Sequence, residues 1–193
     1  MRKLIIGAIA VVSAIAANAA SVDWSATKGA LYDGADTPAK LTGGNAYLMF
    51  VTSSYSQNDL LNAFIAAEGD ATKTLASMTS SGALATGAGS ISSANSRPSG
   101  TSTYNLSADG TAYFVVFNDD KMFVSYTTDV LYDSVTGDAT ATFATALTSI
   151  SKTTADASAG LSSTGGWYAV PEPTSGLLML LGMAGLALRR KRA

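Results

Sequence analysis

The chain has 193 residues, a net charge of −2 and only 13% charged residues, about half the usual share of roughly 25%, and it has no cysteine and no histidine. Those absences exclude disulfide staples, thiolate and imidazole metal sites, and Ser-His-Asp or Cys-His catalysis, leaving carboxylate, Lys, Tyr or Ser-Lys chemistry to any enzyme built here. Between Ala20 and Val170 there are six basic and thirteen acidic residues, a net of −7 framed by two basic ends, and such an acidic body argues against nucleic acid as the partner.

In chain order, Met1-Arg2-Lys3 precedes an apolar run over 4–15 and then Ala16-Ala17-Asn18-Ala19-Ala20. A positive start, an apolar stretch too short for a comfortable membrane span and small residues at its end are the three parts of a secretory signal. Ala17 and Ala19 supply the A-x-A, so residues 1–19 are expected to be a signal peptide removed by signal peptidase, with Ala20 first in the mature chain. The competing reading is an uncleaved amphipathic or anchoring helix.

The body, 20–169, carries short aromatic and β-branched runs that favour strands: 46–51 (AYLMFV), 112–117 (AYFVVF), 122–126 (MFVSY) and 166–170 (GWYAV). Asn118-Asp119-Asp120-Lys121 is a polar turn of hairpin length, which predicts a hairpin over 111–127. Residues 58–69 put Leu60, Leu61, Phe64 and Ile65 on one face between a capping Asn or Ser and Gly69, the pattern of a three-turn amphipathic helix. Residues 71–103, mostly Ser, Thr, Gly and Ala, read as a long surface excursion with one weak helix near 72–78. Periodicity leaves 139–151 open between helix and strand. Leu31-Tyr32-Asp33 recurs as Leu131-Tyr132-Asp133, a match too short to be called a repeat. The expected architecture is mainly β, an antiparallel sandwich-like domain with one packed helix, in which protection of the sheet edges matters because the chain carries so little charge.

The sequence closes with VPEPTSGLLMLLGMAGLALRRKRA, residues 170–193. The uncharged run 176–188 would reach only about 20 Å as a helix against a hydrocarbon core of about 30 Å. Taken over 175–188, with arginines snorkelling, it makes a marginal span. Arg189, Arg190, Lys191 and Arg192 would stay cytoplasmic, leaving the body outside. Pro171 and Pro173 bar helix just before the run and hold an extended stretch at the membrane surface. This layout resembles the PEP-CTERM sorting signal of Gram-negative bacteria. The resemblance implies recognition of Pro171, Glu172 and Pro173 by an exosortase-like membrane transpeptidase, with Arg189 to Arg192 as the retention element. It further implies an inner-membrane intermediate and delivery to the cell surface or extracellular polysaccharide matrix. The rival reading is an ordinary short anchor after a coincidental Pro-Glu-Pro.

Candidate chemistry in the body is sparse. Asp33 with Asp36, Asp119 with Asp120, and Asp133 with Asp138 are oxygen-rich pairs, but none has the ligand spacing of a calcium loop, and plain turn roles are preferred. A carboxylate pair for glycoside hydrolysis would need convergence that sequence does not show. Trp24, Trp167 and Tyr168 are either a sugar-stacking platform or core residues of terminal strands, the latter preferred. Asn105-Leu106-Ser107 fits a glycosylation triplet, taken as coincidence. The expectation is therefore a non-catalytic surface or matrix protein without cofactor or metal. A carbohydrate-binding or adhesion module contacting exopolysaccharide and a carboxylate-dependent hydrolase are the alternatives.

Overall fold

The hairpin expected over 111–127 is the spine of a computed structural model that describes residues 19–162 and 165–171. The strands are β1 (Ala20–Ala26), β2 (Asn45–Phe50), β3 (Gly89–Ile91), β4 (Pro98–Tyr104), β5 (Gly110–Asn118), β6 (Lys121–Ser125), β7 (Thr128–Tyr132), β8 (Ala139–Phe143), β9 (Thr154–Asp156) and β10 (Gly165–Ala169). The helices are α1 (Gln57–Ala66), α2 (Ala71–Ser80) and the short α3 (Leu147–Ile150).

Strands β5 and β6 pair from Asn118↔Lys121 to Val115↔Val124, and β5 then pairs with β7 from Ala112↔Thr128 to Gly110↔Val130. Two residues of β5, 113 and 114, thus face three on the returning strand, 125–127, which is a β-bulge. The Phe114 N–H, left without a ladder partner, donates to Ser125 Oγ at 2.8 Å, and that hydroxyl donates to Tyr126 O at 2.9 Å. A buried amide left unpaired costs about 1–3 kcal/mol, so the Ser125 side chain stands in for a strand.

At the bulge the returning strand changes its outer neighbour. β6 pairs with β10, whereas β7 pairs with β8. From β8 the sheet continues through β1, β4, β3 and β2, and β2 closes onto β5, Ala46↔Val116 to Phe50↔Ala112. Seven strands therefore form a closed ring, and β6, β10 and β9 leave it as a flap. This corrects the two-sheet sandwich: there is one ten-stranded, barrel-like sheet. It is also mixed, since β1–β8 and β9–β10 are parallel. Sandwich and barrel show the same alternation along each strand, so the pattern alone did not separate them.

The interior is filled by Val22, Leu31, Leu48, Val116 and a run of rings, Trp24 on Phe114 (6.0 Å between centroids), Phe114 on Phe123 (5.7 Å) and Phe123 on Trp167 (5.5 Å), with Phe143 edge-on to Phe114 at 4.9 Å. A second core lies outside the sheet, where Leu60, Leu61, Phe64 and Met78 of α1 and α2 cover Met49, Tyr113, Val115 and Tyr168. The one packed helix expected, over 58–69, is thus joined in the packing by α2, at the site of the weak helix expected near 72–78.

Helix α1 begins with a capping box. The Asp59 N–H donates to Ser56 Oγ, and the Ser56 N–H donates to Asp59 Oδ2 at 2.8 Å. The Ser56 hydroxyl also donates to Asp59 Oδ2 at 2.6 Å, and this bond first, then the one from the Ser56 N–H, holds the Asp59 carboxyl below its ordinary value. The helix ends with Gly69 N–H donating to Phe64 O and Glu68 N–H to Ile65 O, a Schellman closure that puts Glu68 at φ 55°.

The region 71–103 contains, as α2, the weak helix expected near 72–78, but departs from a surface excursion by also supplying β3 and β4, and β4 runs antiparallel to β1 from Ala20↔Tyr104 to Ser25↔Ser99. Its small residues are a socket for Trp24. A Cβ on Gly89 would fall 2.5 Å from Trp24 Cζ2, and one on Gly100 would fall 2.5 Å from Gly89 Cα. The Trp24 indole N–H donates to Ser102 Oγ at 3.0 Å. The open stretch 139–151 resolves into both options, β8 followed by α3.

Candidate functional site

Strand β10 delivers the chain to its sorting segment. Trp167 and Tyr168 are fully buried on opposite faces of the sheet, one in each core. The Trp167 indole N–H donates to Tyr32 O at 2.6 Å, and the Tyr168 hydroxyl accepts from the Ser162 N–H at 2.8 Å. Burial raises the Tyr168 phenol above its ordinary value, so it stays neutral. Val170 still packs on the helix-covered core, and Pro171, one residue later, is exposed. A Cβ on Gly69 would lie 3.4 Å from Asp120 O and 3.9 Å from Val170 Cγ2. The α1–α2 corner, the β5–β6 turn and the last packed residue therefore meet where the chain leaves the barrel.

Of the sequence-derived sorting residues, Pro171 lies on this surface. Glu172, Pro173, Arg189, Arg190, Lys191, Arg192 and the apolar run 175–188 lie outside the described residues, as does Ala17. Ala19 is exposed, and Ala20 is buried as the first residue of β1, opposite Tyr104. Among the described residues no helix is long and apolar enough to cross a membrane.

The acidic pairs take turn roles. Asp33 Oδ1 accepts from the Ala35 and Ala39 N–H groups, both at 3.1 Å. Asp133 Oδ1 accepts from Val135 N–H at 2.8 Å, the main reason its carboxyl sits below the ordinary range. Asp119 and Asp120 form the β5–β6 turn, with Asp119 at φ 52°. Among the described residues no three acidic side chains come together as a metal site. Asp23, Asp133 and Asp138 do line one open depression of about 680 Å³ with Leu131 and Tyr132.

Trp24, Trp167 and Tyr168 are all buried, so they form no sugar platform. An aromatic feature not singled out from the sequence lies elsewhere. Tyr47 and Phe117, half-buried on the outer face of β2 and β5, meet edge-on at 6.2 Å. Both border a hollow of about 270 Å³ along α2, and Tyr47 also borders an adjoining one of about 350 Å³; the two share Tyr47 and Leu75 and have no charged residue in their walls. The strand pattern placed both rings in strands, but only the position of α2 decides that they stay accessible. Tyr113, within the bulge, is different: its hydroxyl is buried without a hydrogen-bond partner, and burial pushes its pKa upward.

No curated protein and no solved structure matches this chain. Residues 169–192, by contrast, match a protein family described as the PEP-CTERM protein-sorting motif. The match starts at the final residue of β10, so the motif follows the barrel with no intervening linker. The chain thus carries a segment that matches the PEP-CTERM protein-sorting motif, and the match leaves the barrel before Ala169 uncovered.

Proposed function

We propose that the protein is exported, cut at its sorting motif, and displayed at the cell surface or in the extracellular matrix, where the barrel has a structural, non-catalytic role. The motif at 169–192 carries this reading, because it targets an exported chain to exosortase, a membrane transpeptidase. Support comes also from a barrel whose interior is occupied by aromatic rings, leaving shallow hollows on its outside. The test is the intact mass of the chain recovered from envelope and matrix of the producing cells. A species running from Ala20 to between Pro171 and Thr174, with or without an attached group, is the expected result. A species that retains everything through Ala193 would mean a membrane-anchored domain and would overturn the sorting reading. Glu172→Ala is expected to shift the population toward the uncut mass.

The Tyr47–Phe117 hollow favours a second reading, binding of a neutral glycan. Half-exposed rings offer faces to sugar C–H groups, and Asn45, Thr72 and Thr79 offer uncharged hydrogen-bonding partners. In affinity electrophoresis through gels containing neutral polysaccharide, retardation should be lost in Tyr47→Ala. Equal mobility of the two proteins in every gel would end this reading.

A further inference from the structure

Resting on the sorting reading above, the geometry points to a docking surface for the processing transpeptidase on the barrel end that surrounds Pro171. This surface is made by the Asp119–Asp120 turn and the Glu68–Asp70 corner, both exposed apart from Gly69 at the centre of the corner.

The inference follows from reach. Val170 is packed against the second core, and Glu172 and Pro173 follow it by two and three residues. Whatever conformation they adopt, three residues extend at most about 11 Å, at roughly 3.3–3.6 Å each. Upstream there is no slack to draw on. Trp167 and Tyr168 are anchored in the two cores, and β10 is paired on both sides, with β6 from Gly165↔Ser125 to Ala169↔Lys121 and with β9 from Trp167↔Thr154 to Ala169↔Asp156. A peptidase that grips substrate on the upstream side of the cut would find strand β10 there, already held in a sheet. Its active-site rim must therefore lie against the folded end, and the walls of that end are the residues beside Val170. A glycine lets the corner and the turn close on Val170: Gly69 has φ 80°, and a Cβ there would point inward at Asp120 O and Val170 Cγ2. The partner committed to is thus the membrane-embedded transpeptidase itself, seated on the turn and the corner while it holds the motif.

The chain has no cysteine, so a single introduced thiol is a unique label site. Asp120→Cys in the full-length chain, carrying a thiol-linked photocrosslinker and expressed in the producing cells, should crosslink the uncut form to the transpeptidase, identified by mass spectrometry. The control is Val135→Cys, 91% exposed in the β7–β8 connection. It lies at the Gly110 end of β5, about 26 Å from the turn at roughly 3.3 Å per residue. Crosslinking from 120 at least tenfold above that from 135 is expected. A Gly/Ser insertion of about twelve residues between Val170 and Pro171, adding roughly 20 Å of average reach, should abolish the difference while leaving the motif cleavable. Normal cutting with no preference for position 120, or a preference that survives the insertion, would overturn the docking surface alone. Failure of the unmodified chain to be cut at all would instead overturn the sorting reading, and the surface with it.

Discussion

Phe114→Ala is expected to lower the free energy of unfolding by about 3–5 kcal/mol, a large part of the 5–15 kcal/mol that holds a typical domain together. Phe114 is fully buried at the centre of the barrel, touching Trp24, Phe123 and Phe143 from three different strands. Its removal leaves a cavity walled by rigid rings, which collapse into space poorly. It also sits at the bulge, where its own N–H relies on Ser125, so relaxation that moved the backbone would threaten that bond. The urea midpoint should fall with little change in slope. Leu131→Ala, at a site 62% exposed, should stay within about 0.5 kcal/mol of the parent. A Phe114→Ala loss below about 1 kcal/mol would mean that the interior is looser than the ring contacts indicate.

Gly165→Val should be comparably severe, for a different reason. Gly165 has φ 80°, where a β-branched residue is strained by about 1–3 kcal/mol. A Cβ would also fall 2.6 Å from Val124 O and 2.9 Å from Tyr126 N, backbone atoms of the bulged strand that cannot swing aside. Together these effects amount to roughly 3 kcal/mol or more, and they act at the first residue of β10. Amide exchange at Trp167 and Tyr168 is expected to accelerate before that of the ring strands. Gly137→Val separates the two causes: it has nearly the same φ, 79°, but nothing within 4 Å of the new Cβ, so it should show the backbone strain alone. Equal losses at both sites would show that the contact with the β6 backbone contributes nothing.

Local chemistry made some elements readable before any coordinates. The hairpin came from aromatic runs flanking Asn118-Asp119-Asp120-Lys121, and α1 from four apolar residues at helical spacing ahead of Gly69. What sequence concealed was non-local. Ser102 and Gly100 look like surface-loop residues until Trp24, some eighty positions earlier, is seen to need a socket and a hydrogen-bond acceptor. Closure of the ring depends on β2 meeting β5 and on the parallel β1–β8 pairing, neither of which leaves a mark on either strand alone. The site divided in the same way. The sorting motif is contiguous and was readable as such, whereas the Tyr47–Phe117 hollow exists only because α2 stops short of covering two rings from different strands.

The direct join between β10 and the motif also fixes how the domain bears load. A pull on the chain at Pro171 runs along the axis of β10, at right angles to its hydrogen bonds with β6. All five paired positions then resist together in shear, and they do not open one after another as in a zipper. Two buried anchors, Trp167 and Tyr168, would have to slide through separate cores before the strand came free. A tether attached there would sooner reorient the whole barrel than unravel it.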